Sequence, residues 1–317
     1  MKEFLHQNHN EGLVALISDR KPILFKDFFK QVLAWKKRET TLSTYRNYCA
    51  IYNRFIPILG DYPIDKISGK ELDNILDTMD LKTSSRKTYQ RILSTLFNDA
   101  VRQELLEKNP CYHMRKTRGI NLKINHRLPT KEEINSYIKT AKDSNNIFMY
   151  KLLILAVSTG MRLGEILNLT RKDIDLDKNI IMVKGQLTNV GPNMPLKTNA
   201  SYRNIHVSGE VLRNILSNTS GFYVFTPQII TTRQVSRRTA DKYIRKFFAS
   251  IKTPPGFTFH SLRHYHATEL LCRGISLKEV SKRLGHASIN ITADIYTHWL
   301  EEMDRSAAEV LGKEFLV

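Results

Sequence analysis

The stretch HSLRHYHATELLCRGISLKEVSKRLGHASINITADIYTHW, residues 260–299, sets His260, Arg263 and His286 ahead of Tyr296. Its apolar spacing predicts helices over 260–273, 276–284 and, running past its end, 290–312. An arginine fork binds phosphate oxygens in pairs, and an imidazole carries protons near neutral pH. A phenol becomes a nucleophile when a base and nearby cations favour the phenolate. The segment therefore predicts a helical region that carries out chemistry on a phosphate.

Two upstream motifs supply further cations. TGMRLGE carries Arg162 at residues 159–165, and LKTNASYRNI carries Lys197 at residues 196–205. Arg162 and Arg263 both lie near predicted helix starts, where free backbone amides also favour anions. Lys197 follows a hairpin rich in Gly, Pro and Asn, from which an ammonium could protonate a leaving group. Each residue alone has a plainer explanation, as a surface arginine, a turn lysine or a packed tyrosine.

Three closely spaced histidines, His260, His264 and His266, raise the question of a metal site. His260 and His264 share a helix face. The zinc-protease pattern requires Glu directly after the first histidine, where this chain has Ser261. No cluster of carboxylates accompanies them to hold magnesium. We therefore expect no metal, a proton-carrying role for His260 and a structural role for His264.

Length and charge predict two domains that bind one polyanion. The chain has 317 residues, 41% of them hydrophobic, and a net charge of +18. Residues 22–129 hold 20 Lys and Arg against 11 Asp and Glu, and residues 130–317 hold 26 against 17. A basic excess in both halves is the expected footprint of double-stranded DNA. The alternative is a soluble protein that is basic throughout.

The chain shows no sign of secretion or of membrane insertion. It contains no run of 18 apolar residues, and its first residues lack the apolar core of a signal peptide. Cys49, Cys111 and Cys272 are odd in number and far apart. They fit reduced thiols better than a disulfide framework or a zinc site. We expect a cytoplasmic protein.

The N-terminal half predicts a helical DNA-binding domain over residues 24–110, after an extension of residues 1–23. Four helices are expected: one from about Phe25, one over 42–58 closed by Gly60, one capped by Ser68 and Glu71, and one over 84–107 ended by Asn109 and Pro110. Residues 111–129 have little periodicity and predict an extended basic linker, or else an ordinary surface loop. The linker cations assigned to DNA are Arg115, Lys116, Arg118, Lys123 and Arg127.

The second predicted domain covers residues 130–317 and begins at a capping box of Thr130 and Glu133. Besides the three helices already named, it has predicted helices over 131–142, 146–158, 209–217 and 234–250, and strands over 180–183 and 202–207. The strands bracket a long hairpin in a small antiparallel sheet. The fold class is therefore mainly α, with a helical domain followed by a mixed, mostly α domain.

The complete set of motifs resembles the tyrosine recombinase (phage integrase) family. Residues 24–109 resemble its helical core-binding domain, and residues 130–317 resemble its catalytic domain. All six family positions are filled by the expected residue types in the expected order. The resemblance implies site-specific DNA recombination without a metal or a nucleotide cofactor.

The resemblance also implies a role for each motif residue. Arg162 and Arg263 would bind the scissile phosphate, and Lys197 would protonate the departing 5′ oxygen. His260 would assist proton transfer, and His286 would donate a hydrogen bond to the phosphate. Tyr296 would attack to give a 3′-phosphotyrosine, on the way to a Holliday junction. Glu165 and His264 would support the site.

The resemblance further implies a C-shaped clamp around the duplex and a homo-tetramer on two DNA sites, with possible accessory DNA-bending or directionality proteins. A C-terminal helix after Tyr296 would dock on a neighbouring protomer; the alternative is that it packs on its own domain. Only some 21 residues precede the helical unit, too few for the additional arm-binding domain of many integrases. That favours a simple or shortened recombinase.

Several functions stay open at this point. The long hairpin and the LKTNASYRNIHV sequence favour a mobile-element integrase. A Xer-like chromosome dimer resolvase would use the same chemistry. A type IB topoisomerase-like nicking enzyme shares the same catalytic set. The remaining hypothesis is a protein that is not an enzyme, a DNA-binding protein that has lost catalysis.

Overall fold

The computed structural model describes residues 22–117, 127–196, 198–217, 221–226, 234–290 and 292–293. The chain divides into two compact units, residues 1–122 and 123–317. Helices dominate both units, and the second also holds a three-stranded antiparallel sheet. The predicted fold class, mainly α with a small antiparallel sheet, is confirmed.

The described residues of the first unit form a cluster of four helices, α1 Phe25–Glu39, α2 Leu42–Leu59, α3 Gly69–Thr78 and α4 Thr83–Arg102. A 3-10 turn, Ile64–Lys66, lies between α2 and α3. The core is rich in aromatic rings, and the fully buried ones are Phe25, Phe28, Phe29, Phe55 and Phe97. Three of these rings recur at helical spacing along α1, and α2 and α4 each add one among buried aliphatic residues. Each of these helices thus presents one apolar face to the shared core.

In this unit the start of α3 agrees with the sequence prediction, and the end of α4 differs from it. At the start of α3, the Glu71 amide donates to Ser68 Oγ at 3.2 Å and the Ser68 amide donates to Glu71 Oε2 at 2.8 Å. That reciprocal pair is the predicted capping box. The fourth helix ends at Arg102, not at 107 as predicted. The chain turns at Glu104, which adopts a left-handed φ of 57°.

The beginning of the predicted linker is folded in the structure. Residues Pro110–His113 form a 3-10 helix, and Met114 is buried in the core of the first unit. Asn109 explains the turn, because its side chain donates to Ser94 O at 2.9 Å and accepts from the Cys111 amide at 2.8 Å. The expectation of an extended chain from residue 111 is therefore wrong for these first residues.

The second unit is built around α6. The helices among its described residues are α5 Lys131–Asp143, α6 Ile147–Thr159, α7 Leu163–Leu167, α8 Gly209–Leu216, α9 Arg237–Ala249, α10 Phe259–Cys272 and α11 Leu277–Leu284. Helix α6 is apolar around most of its circumference because α5, α8 and α10 all pack on it. The short α7 was not predicted. The helix expected over 290–312 lies almost entirely outside the described residues.

The sheet consists of β1 Ile174–Asp175, β2 Ile180–Val183 and β3 Arg203–His206, in that order and antiparallel. Ile181 pairs with Ile174 on one side and with Ile205 on the other. The two predicted strands and the hairpin between them are thus present. Strand β1 was missed because two residues carry no readable alternation.

Within the described residues, no helix combines the length and the apolar character that a membrane crossing requires.

His266 fastens α10 to the end of α6. Its Nδ1 lies 2.7 Å from the carbonyl oxygen of Val157, so Nδ1 carries the proton and Nε2 accepts from Arg283 Nε at 3.1 Å. The ring also packs against Gly160, where an added Cβ would lie 2.5 Å from His266 Cδ2. Burial, followed by the charges of Arg283 and Arg263, lowers the pKa of His266 to about 4, outweighing the bond to Val157.

This lowered pKa predicts acid-sensitive stability. Below pH ~6.5 His266 binds a proton in the unfolded chain, but in the folded chain it stays neutral until pH ~4. Acid therefore lowers the free energy of unfolding, by ~3 kcal/mol at pH ~4. Replacing His266 by Gln should lower the free energy of unfolding at pH 7 but flatten its pH dependence between these values. Denaturant unfolding at several pH values measures both. The matched control is His113→Gln, at an exposed position; equal slopes in wild type and His266→Gln would contradict the assignment.

Candidate active site

Arg162 lies in a tight turn between α6 and α7. Gly160 ends α6 in the left-handed region at φ 64°, and Arg162 is the residue directly before α7. The Arg162 amide donates to Glu165 Oε2 at 3.0 Å, and Arg162 Nη1 donates to Glu165 Oε1 at 2.9 Å. The Glu165 side chain is only 1% exposed, whereas that of Arg162 is 35% exposed. A buried carboxylate thus holds an arginine whose side chain is still partly exposed to solvent.

Arg203 is a second partner of Glu165. Its Nη2 donates to Glu165 Oε2 at 2.9 Å, and its side chain is 6% exposed. Burial alone would raise the pKa of the Glu165 carboxyl, but the charge and hydrogen bond of Arg203, with those of Arg162, outweigh it and hold the pKa below its usual value. Glu165 is therefore ionised at neutral pH and accepts bonds from two arginines.

Arg263 reaches the same region from α10. It is buried, with Nη1 donating to Gly160 O at 2.7 Å and Nη2 donating to Leu284 O at 2.8 Å. Arg162 Nη2 donates to the next carbonyl, Gly285 O, at 3.3 Å. The two arginines therefore meet at adjacent carbonyl groups where α11 ends, although 101 positions separate them in the sequence.

His286 directly follows this double contact. Gly285 ends α11 in the left-handed region at φ 69°, and His286 Nδ1 lies 2.7 Å from Thr292 Oγ1. Burial first, then the charges of Arg263, Arg162 and Arg203, lower the pKa of His286 to about 4. The neutral imidazole at pH 7 can donate one hydrogen bond without adding another charge.

His260 and His264 stack edge to face on α10, with ring centroids 4.8 Å apart. Partial removal from water, then the charges of His264, Arg263 and Arg162, lower the pKa of His260 to about 4, although the residue as a whole keeps exposed surface. Burial and the Arg263 charge also lower the pKa of His264. His260 is thus neutral at pH 7, and its partial removal from water and the cations beside it make its imidazole a weaker base than usual.

Two predicted site residues, Lys197 and Tyr296, lie outside the described residues. The residues that flank Lys197 are described, however. The Leu196 amide donates to the Tyr202 hydroxyl at 3.3 Å, and Ser201 Oγ donates to Gly285 O at 3.4 Å. On the C-terminal side of Lys197, Ser201 therefore bonds to the same carbonyl that accepts from Arg162.

Arg115 and Arg127, two of the described linker cations, have acidic partners within their own units. Arg115 forms an ion pair with Asp77, and its amide donates to Asp73 Oδ2 at 2.6 Å. Arg127 makes two bonds of 2.7 Å to the carboxylate of Glu133. Lys116 is exposed, and Arg118 and Lys123 lie outside the described residues. DNA phosphates would have to compete with the carboxylates for the two arginines.

Metal ligands are a separate question. Among the described residues, no group of three or more His, Cys, Asp or Glu side chains is arranged to hold a metal ion.

Arg203, Ser201 and Arg283 are the residues that sequence reasoning missed. A signal for Arg203 was present, because alternation along β3 puts it on the same face as Ile205 and Val207, which are buried. A charge on a buried strand face requires a partner, and that requirement could have singled it out. The partner, Glu165, could not be named because it lies 38 positions away.

Comparison with known proteins shows the family to which the chain belongs. The model of the phage integrase family matches residues 127–303, and the model of the phage integrase SAM-like domain matches residues 24–116. The chain belongs to the phage integrase family. This tyrosine recombinase is 30% identical to the XerC-like tyrosine recombinase of Caldanaerobacter subterraneus, over 86% of this chain and 76% of that protein. It is 27% identical to the ICEBs1 integrase of Bacillus subtilis, over 84% and 77% of the two chains.

Solved structures of integrases share the fold. A Tn1549 transposon integrase in complex with circular intermediate DNA matches with a TM-score of 0.76 at 18% identity, over 89% of this chain and 99% of that chain. A lambda integrase dimer bound to a core site matches with a TM-score of 0.66 at 21% identity, over 86% and 95%. These structures show the shared fold. The family models and the sequence relatives make the protein a site-specific recombinase of the integrase type.

Proposed function

We propose that this recombinase cuts and rejoins double-stranded DNA through a covalent bond between Tyr296 and a 3′ phosphate. The phenolic oxygen attacks phosphorus, and the bond from phosphorus to the 5′ oxygen breaks. His260 accepts the phenolic proton, and Lys197 gives a proton to the departing 5′ oxygen. The 5′ hydroxyl of a partner strand then attacks the phosphotyrosine and gives its proton to Lys197, while His260 returns a proton to the departing Tyr296 oxygen. Exchange of one pair of strands in this way forms a Holliday junction, and exchange of the second pair resolves it.

The observation that carries this proposal is the meeting of Arg162 and Arg263 at the end of α11. Both guanidinia donate to adjacent carbonyl groups, and His286 is the next residue. The transition state at phosphorus carries more negative charge than the substrate, and prearranged cations stabilise that extra charge. Bidentate arginine bonds suit non-bridging phosphate oxygens, and the donors are held in place before DNA arrives.

Its biological setting is proposed as a mobile element. The ICEBs1 integrase and the Staphylococcus phage L54a integrase are among its relatives, beside XerC and XerD recombinases. The long hairpin before Lys197 favours the mobile-element branch. A lambda integrase tetramer bound to a Holliday junction has the same fold, with a TM-score of 0.66. By analogy, we propose a homo-tetramer on two DNA sites, with the segment after Tyr296 docked on a neighbour.

A plasmid assay tests this function against its nearest rival. Plasmids carrying two copies of the DNA that flanks the gene should yield recombinant circles, and a supercoiled plasmid without those sites should stay supercoiled. Relaxation of the site-free plasmid, without recombinants from the other, would instead identify a topoisomerase-like enzyme. Specific binding without either product would identify a DNA-binding protein that has lost catalysis.

We also propose that the linker contacts the DNA backbone. Replacing Arg115, Lys116, Arg118, Lys123 and Arg127 by Gln should weaken binding to all sequences alike. Each phosphate that the linker no longer neutralises should reduce the slope of log K against log salt by about 0.9. Titrations by fluorescence anisotropy at several salt concentrations measure this slope. An unchanged slope would remove the linker from the interface.

A further inference from the structure

We infer that Arg203 is a positioning residue that assembles the catalytic groups of this recombinase. The inference rests on the proposed function and adds a residue to it. Arg203 begins β3, and its side chain is almost completely buried. Three of its nitrogens donate to three different partners: Nη2 to Glu165 Oε2 at 2.9 Å, Nε to Arg283 O at 2.7 Å and Nη1 to Ser201 O at 2.9 Å.

Each partner of Arg203 either binds one of the proposed catalytic residues or lies close to one in the chain. Glu165 holds the guanidinium of Arg162. Arg283 precedes, by two residues, the Gly285 carbonyl that accepts from Arg162, and by three residues His286. Ser201 ends the short 3-10 turn that follows Lys197. One planar guanidinium therefore links the chain segments that carry Arg162, His286 and Lys197.

The fit around Arg203 is close. A Cβ built on Gly285 would lie 3.0 Å from Arg203 Nη1 and 3.1 Å from its Cδ, so the left-handed glycine packs directly on this side chain. Ser201 is buried as well, and its hydroxyl donates to Gly285 O. An arginine fork can bond three acceptors in fixed directions, whereas the single ammonium of a lysine has no such geometry.

The charge of Arg203 is also needed. Glu165 is buried, and without Arg203 its carboxylate would keep one cationic partner, Arg162. With one cationic partner fewer, burial shifts Glu165 towards the neutral carboxyl group. A neutral Glu165 would accept weaker hydrogen bonds from Arg162 and would leave its guanidinium less firmly oriented. Arg203 thus acts on the phosphate through Glu165 and Arg162, without touching DNA itself.

The test compares wild type, Arg203→Gln, Arg203→Lys, Glu165→Gln and the double variant Arg203→Gln/Glu165→Gln. A nicked suicide substrate traps the covalent complex, so the rate of trapping and the Kd for DNA are measured separately. We expect Arg203→Gln to slow trapping at least tenfold while the Kd changes less than threefold. Arg203→Lys, which keeps the charge and is the variant least disruptive to folding, should recover part of that loss. The double variant should lose about as much as the worse single variant, because the two residues act as a unit.

The control is Arg213→Gln, an exposed arginine on α8, which should trap at the wild-type rate. If wild type forms the trapped complex and both Arg203→Gln and Arg203→Lys form it at the wild-type rate, Arg203 is not a positioning residue. Fully additive losses in the double variant would also overturn the inference, because they would separate Arg203 from Glu165. If wild type fails to trap on its own site, the proposed function itself fails, and the inference fails with it.

Discussion

Replacing Tyr296 by Phe is expected to abolish covalent trapping on a nicked suicide substrate. The change removes one oxygen atom, the proposed nucleophile, and leaves the aromatic ring. The cations that bind the phosphate remain in place, so the variant should hold its DNA site with nearly wild-type affinity. Denaturing gel electrophoresis measures the covalent complex, and fluorescence anisotropy measures the affinity.

The control for this experiment is a second tyrosine replaced in the same way. Tyr62 is an exposed residue of the first unit, and Tyr62→Phe should trap at the wild-type rate. Trapping by Tyr296→Phe would show that another group attacks phosphorus. If Tyr296→Phe lost both its DNA affinity and its covalent trapping, the cause would be misfolding of the variant and not the missing nucleophile. Circular dichroism would reveal such misfolding.

Replacing Arg162 by Lys is expected to slow cleavage by about 10²–10³-fold, the usual cost of losing one preorganised donor to a developing negative charge. The positive charge is kept, so a purely electrostatic role would predict a small effect. The fork is lost, however. Arg162 uses separate nitrogens for Glu165 and Gly285 O, and it must still present donors to the phosphate. One ammonium cannot satisfy all three acceptors in those directions.

Single-turnover cleavage at saturating DNA measures the effect of Arg162→Lys on the chemical step, and titration measures the affinity. We expect the rate to fall far more than the affinity. The same substitution at Arg213, exposed on α8, provides the control. A loss of less than about fivefold in Arg162→Lys would be inconsistent with a fork held for the transition state, which should cost far more.

The sequence predicted the elements with strong periodicity and clear caps. The buried aromatic rings of α1 and α2, the Ser68 and Thr130 capping boxes and the β2–β3 hairpin all follow from local patterns. Local rules suffice there because the residues that decide each element lie within a few positions of one another. The end of α4 was missed because the chain turns at Glu104, a non-glycine residue in the left-handed region. The fold of residues 110–114 was missed because Asn109 fixes that turn through contacts with Ser94 and Asn98 on the preceding helix.

The cationic residues were identifiable as types, but their arrangement was not. Arg162, Arg263 and His286 stood out by chemistry and order. No local sequence pattern shows that Arg162 and Arg263 donate to adjacent carbonyl groups, because these contacts depend on how α6, α10 and α11 pack. Arg203 and His266 make their decisive contacts across 38 and 109 positions. Such contacts follow from tertiary packing, which periodicity and caps do not encode.

The most direct test of this account is to locate the DNA on the trapped protein. After proteolysis of the covalent complex and digestion of the bound strand, mass spectrometry should find the residual nucleotide on the peptide that contains Tyr296, joined through its 3′ phosphate. The chain has 13 tyrosines, so the experiment distinguishes Tyr296 from the other tyrosines that could carry the nucleotide. A nucleotide on a different side chain, or one attached through a 5′ phosphate, would contradict the account.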